Sequence, residues 1–119
     1  MKSQNIIVIL PNGVAVGLTA KDPVTLEELQ FMVGGDIETV ATHLPEIGTK
    51  RIKMIINKEG KLKGLPRNQA ATVLADIMPT DHIVGRAVLC KEDGEEPRPF
   101  TDEETEAIQQ QLKSTGVTI

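Results

Sequence analysis

Lys61, Lys63, Arg67 and Asn68 stand in one turn-rich stretch, NKEGKLKGLPRNQAA (57–71), which is basic within a chain of net charge −4. Ammonium and guanidinium groups gathered at a bend have one natural chemistry, the holding of an anion. Arginine grips a phosphate or carboxylate through two parallel N–H bonds, whereas lysine supplies a mobile point charge. The bend runs from Gly64 and Pro66 into the predicted start of a helix, with Asn68 as its cap. The first amides of a helix lack intrahelical acceptors and carry partial positive charge, so they add to such a site. Ala70 and Ala71 leave that backbone open to a ligand.

The wider charge pattern supports the same focus. Seven of the thirteen basic residues (Lys50, Arg51, Lys53, Lys58, Lys61, Lys63 and Arg67) lie between positions 50 and 67, against one acid, Glu59. The remainder of the chain holds six basic and sixteen acidic residues. A plainer explanation stands beside this one. Arg51 and Lys53 alternate with Ile52 and Met54, as on the solvated face of a strand, and lysines near Gly60 keep a turn soluble.

Parts for catalysis are few. Serine occurs only at positions 3 and 114, and His43 and His82 lack the spacing of metal ligands. His82 opens a predicted strand beside Asp81 and reads as structural or solvated; His43, before Pro45 in a loop, is the better candidate for a site. Cys90 ends an apolar run and reads as a small buried residue. A single cysteine excludes an internal disulfide and fits a reducing compartment. Glu92, Asp93, Glu95 and Glu96 lack the spacing of a calcium loop and read as an acidic, solvated turn. No enzyme, metal or cofactor is expected.

The net negative charge argues against nonspecific nucleic-acid binding, which depends on many cationic contacts. The chain has no Trp or Tyr and two Phe, too few to build stacking platforms. The apolar run at the start, Ile6 to Leu10, is short and reads as a strand rather than a signal peptide or a membrane span.

The elements that must position these residues follow from periodicity. NIIVIL (5–10) and VAVGLT (14–19), joined by PNG, form a predicted hairpin. Thr25 and Glu28 make a capping box for a helix that Gly34 ends, with Gly35 turning into the next strand. Strands are expected at 37–42, 51–57 and 82–90. A helix runs from Asn68 through Ala70, Val73, Leu74, Ile77 and Met78 to Pro79. Thr101 and Glu104 open a last helix over about 102–113, whose few apolar residues (Ala107, Ile108, Leu112) imply weak packing or a second copy of the chain. The order ββαββαβα predicts one α+β domain over 1–119, with a mixed or antiparallel sheet and about three helices.

LEELQFMVGGDIETV followed by INKEGKLKGLPRNQAA and a strand beginning IVG resembles a family of small proteins from phages, plasmids and integrated elements, a domain of unknown function. The family pattern falls on Leu29–Gln30, Val33–Gly34–Gly35, Ile37–Glu38, Asn57–Gly60, Gly64–Asn68 and Ile83–Gly85. Two departures stand out: Asp36 where the family often has an aromatic residue, and Gln69 where it often has Arg after the Asn. The resemblance implies a mobile-element origin and action in the cytoplasm of a bacterial host, against its defences.

The expectation is therefore a nonenzymatic protein that sequesters an anionic small ligand, a nucleotide or cyclic-nucleotide signal. Lys61, Lys63, Arg67 and Asn68 would supply polar contacts, with Gly64 and Pro66 shaping the bend and Gly34, Gly35 and Asn57 one wall. A protein–protein inhibitor acting through the acidic face at 91–106, and a nucleic-acid-associated regulator, stand as alternatives; the site could also lie between subunits of a homo-oligomer.

Overall fold

The computed structural model describes residues 4–117; Ser3, one of the two serines, lies outside them. Seven strands and three helices follow one another as β1 (Gln4–Ile9), β2 (Ala15–Thr19), α1 (Leu26–Val33), β3 (Ile37–Ala41), β4 (Arg51–Asn57), α2 (Gln69–Leu74), β5 (Ala87–Asp93), β6 (Glu96–Arg98), β7 (Phe100–Thr101) and α3 (Asp102–Lys113). The sheet has the path β2-β1-β5-β4-β3, with β6 on β5 and β7 on β1. Every pairing is antiparallel.

Successive residues of a strand point to opposite faces, and here both faces are covered. Ile7, Ile9, Met54, Ala87 and Leu89 pack with Ala71 and Leu74 of α2 and with Ile108 and Leu112 of α3. Ile6, Val8, Ile55, Val88 and Cys90 pack on the other side with Leu29 and Val33 of α1. The unbroken apolar runs of β1 and β5 are thus the signature of strands at the centre of three layers. The layering also corrects the view of β4 as half solvated: Lys53 is only 8% exposed, because its face is the one that α1 covers.

Both capping boxes form. Thr25 Oγ1 accepts from the Glu28 N–H at 3.1 Å, and Glu28 Oε1 accepts from the Thr25 N–H at 3.0 Å. Thr101 and Glu104 do the same for α3. Gly34 ends α1 with φ of 82°, a left-handed conformation that residues with a β-carbon rarely adopt.

Four expectations need correction. The helix from Asn68 stops at Leu74, because Ala75 turns extended and bridges Thr42 at the end of β3; Met78 is left 71% exposed. The strand expected from residue 82 begins at Ala87. Residues 83–85 instead pair with the glycine–leucine–proline stretch, the Asn68 N–H donating to Ile83 O and the Gly85 N–H to Pro66 O. The acidic turn at 91–99 is a hairpin, with Glu92 opposite Pro97 and Asp93 opposite Glu96. Finally, α3 does not pack weakly: Thr105, Ile108 and Leu112 are buried within the same chain, which removes the reason to invoke a second copy.

Candidate functional site

Antiparallel topology brings four turns to one side of the molecule. The hairpin tip after β1 supplies Leu10, Pro11 and Asn12, and the end of α1 supplies Val33 and Gly34. The loop after β4 gives Lys63, Leu65 and Pro66, and the approach to β5 gives Gly85 and Arg86. With Asn57 they line an open cleft of roughly 530 Å³.

Each wall has a local cause. At the hairpin tip the Leu10 N–H donates to Val14 O and the Gly13 N–H to Leu10 O, while Asn12 Oδ1 accepts from the Val14 N–H at 3.1 Å. Asn57 joins two walls: its Nδ2 donates to Val33 O at 3.1 Å, and its Oδ1 accepts from the Glu59 N–H at 2.8 Å. Leu65 is packed under Gly85, where a β-carbon would come within 2.9 Å of its Cδ1. Gly35 lies behind the cleft. A β-carbon there would stand 2.8 Å from Lys63 Nζ and 3.1 Å from Asn57 Nδ2, so glycine at 35 leaves the space that the ammonium uses.

The residues singled out from the sequence divide accordingly. Gly34, Asn57, Lys63 and Pro66 meet in the cleft, and Gly35 backs it. Lys61 points elsewhere, into an ion pair with Asp81 beside a smaller hollow that also contains Glu38 and Glu59. Gly64 is a turn residue with φ of 68°. Arg67 is exposed and bridges Val84 outside the cleft lining.

Asn68 is no ligand contact. It is 0% exposed, its Oδ1 accepts from the Ala71 N–H at 3.0 Å, and its Nδ2 donates to Ile9 O and Gly85 O at 2.9 and 2.8 Å. With Asn68 as its own cap and only six residues in α2, the expected helix-terminus anion site is taken up by the protein itself. Asn68 instead braces the cleft, fixing the chain next to Leu10 and Arg86.

Arg86 is the cleft cation that the sequence did not reveal, since it stands in what reads as a continuous strand. It is exposed, lines the cleft and makes no ion pair among those found in the described residues; the same holds for Lys63. The lining contains no Asp or Glu, and no Ser, Thr, Cys or His. The other hollows differ. One carries Glu46 and no cation, and those holding lysine or arginine also hold carboxylates.

Elsewhere the chemistry is quiet. Burial pushes the Cys90 thiol up to about 12, with Lys53 across the strand pair partly offsetting it. His43 Nε2 lies 3.8 Å from Asp76 on the open surface, outside the cleft lining. Part of the acidic hairpin's charge is paired, Asp93 accepting from Lys50 and Arg98 donating to both Asp22 and Glu96. No group of three or more metal-ligating side chains occurs among the described residues, and no helix there is long and apolar enough to cross a membrane.

Fold and site together define a small three-layer α+β domain whose loops frame a cationic cleft. The chain belongs to the family of the domain of unknown function DUF3846, whose model matches residues 1–113. The comparisons with curated proteins and with solved structures returned no match.

Proposed function

We propose that this domain is a nonenzymatic binding protein that holds a small anion in the cleft between Lys63 and Arg86 and lowers its free concentration. The class of ligand is a nucleotide or cyclic nucleotide, and the setting is a mobile genetic element that disarms a nucleotide-signalled host defence. One observation carries the reading: the cleft brings two exposed cations together with no carboxylate to neutralise them. Its volume of roughly 530 Å³ lies within the range of small-molecule sites. The lining offers no Asp, Glu, His, Cys, Ser or Thr for nucleophilic or general acid–base work, which favours capture over turnover.

The test is direct. The purified protein is incubated with a bacterial nucleotide extract, washed and denatured, and the released small molecules are identified by mass spectrometry. An intact nucleotide recovered from the wild type, and lost from a Lys63→Ala/Arg86→Ala variant, supports the reading. A chemically altered nucleotide, or an empty protein, overturns it.

A further inference from the structure

The cleft's hydrogen-bonding inventory is one-sided. Its free side-chain groups are donors: the Lys63 ammonium, the Arg86 guanidinium and the amide N–H groups of Asn12. The side-chain acceptors are committed, since Asn12 Oδ1 takes the Val14 N–H and Asn57 Oδ1 takes the Glu59 N–H. Four wall carbonyls are engaged as well. Leu10 O accepts from Gly13, Val33 O from Asn57, Pro66 O from Gly85, and Gly85 O from Asn68.

A nucleobase is read through an edge that alternates donors and acceptors, or through an aromatic face stacked upon it. The cleft has neither. The two phenylalanines of the chain stand elsewhere: Phe100 is 0% exposed within the core, and Phe31 is 75% exposed on α1 outside the cleft lining. What remains around the cations is aliphatic, from Leu10, Pro11, Val33, Leu65 and Pro66. Such a wall takes up any flat or apolar body without direction, because burial of apolar surface is not directional.

We infer that the cleft recognises the phosphate of its ligand and leaves the base unread, so that it accepts phosphate monoesters as a class. The inference rests on the anion-binding reading above. A phosphate, which offers acceptor oxygens and negative charge, matches side chains that offer only donors and two cations. The body of the ligand then contributes affinity according to its size and apolar area rather than its pattern of hydrogen bonds.

Titration calorimetry on the intact chain tests this with AMP, GMP, CMP, UMP, hexyl phosphate and adenosine as probes. The expected result is four nucleotides within about threefold of one another, hexyl phosphate within about tenfold of them, and no measurable binding of adenosine. A tenfold or greater preference for one base over the other three overturns the base-indifferent site while leaving anion binding intact. Tight binding of adenosine overturns both, whereas no binding of any of these monoesters overturns the inference and leaves the reading above to its own extract experiment.

Discussion

At the scale of single residues, Lys63 and Asn68 look alike in sequence, two polar positions on either side of one bend, yet their work is opposite. Lys63 is exposed, unpaired among the ion pairs found and aimed at a space that Gly35 leaves open. Lys63→Ala is therefore expected to leave unfolding free energy within about 0.5 kcal/mol of the wild type. The same change should weaken anion binding by about tenfold or more, the worth of one charge-assisted hydrogen bond. Asn68 is buried and bonds three backbone groups. Asn68→Ala leaves those partners unsatisfied and should cost about 3 kcal/mol or more, read as a lower denaturant midpoint. Equal loss of stability in the two variants would contradict this division of roles. An asparagine before a helical pattern reads as a cap, and Asn68 is one. That its Nδ2 also clasps Ile9 and Gly85 depends on contacts 59 and 17 residues away, which no local pattern encodes. Arg86 was hidden for the same kind of reason, because its run looks like uninterrupted strand until Gly85 is seen pairing back to Pro66.

At the scale of elements, the N-terminus of α3 gives the fold a pH dependence whose sign follows from its geometry. Burial pushes the Glu104 carboxyl up, but the Lys91 ammonium at 2.8 Å and the Thr101 N–H outweigh it, so the group titrates below its ordinary value of 4.5. A carboxyl whose folded value lies below its unfolded one stabilises the protein fully above about pH 4.5. That contribution disappears as the pH falls through the folded value. Unfolding free energy should accordingly drop between about pH 4.5 and more acidic conditions, and the slope should be shallower in Glu104→Gln. Denaturant titrations across that window decide it; an unchanged slope would mean that the Lys91–Glu104 pair is irrelevant to folding. Elements with local signals were legible throughout: both capping boxes, the first hairpin, β4 and α3 fall where spacing put them. The misses share one cause. The stripe through Ile77 and Met78 continues the period of α2, but Ala75 is captured by the edge of β3, and β5 loses its first residues to the stretch before Asn68. The acidic hairpin escaped because part of its charge is offset by Lys50, more than forty residues away in sequence, and by Arg98 folding back on Asp93 and Glu96. In each case tertiary pairing overrode a local preference.

At the scale of the whole molecule, the charge asymmetry of the sequence does not become one positive face. Lys50 and Lys61 are spent in ion pairs, Lys53 is buried beside Cys90, and only Lys63 of the stretch reaches the cleft, where Arg86 joins it from outside the segment. On the function proposed above, recognition would rely on the two exposed cations of the cleft. Raising salt from roughly 20 mM to roughly 500 mM should weaken binding of a phosphate by about tenfold, as expected when a pair of exposed contacts is screened. Calorimetry at two salt concentrations checks this. A collapse of several orders of magnitude would instead indicate an extended polyanion as partner. The cleft walls come almost entirely from turns, whereas the central strands are occupied on both sides by packing. Durability and selectivity are therefore housed in different parts of the molecule. On the proposed reading, exchanging the exposed Pro66 would retune what is captured while the packed strands keep the chain folded, so descendants of such a scaffold can change quarry quickly while their architecture stands still.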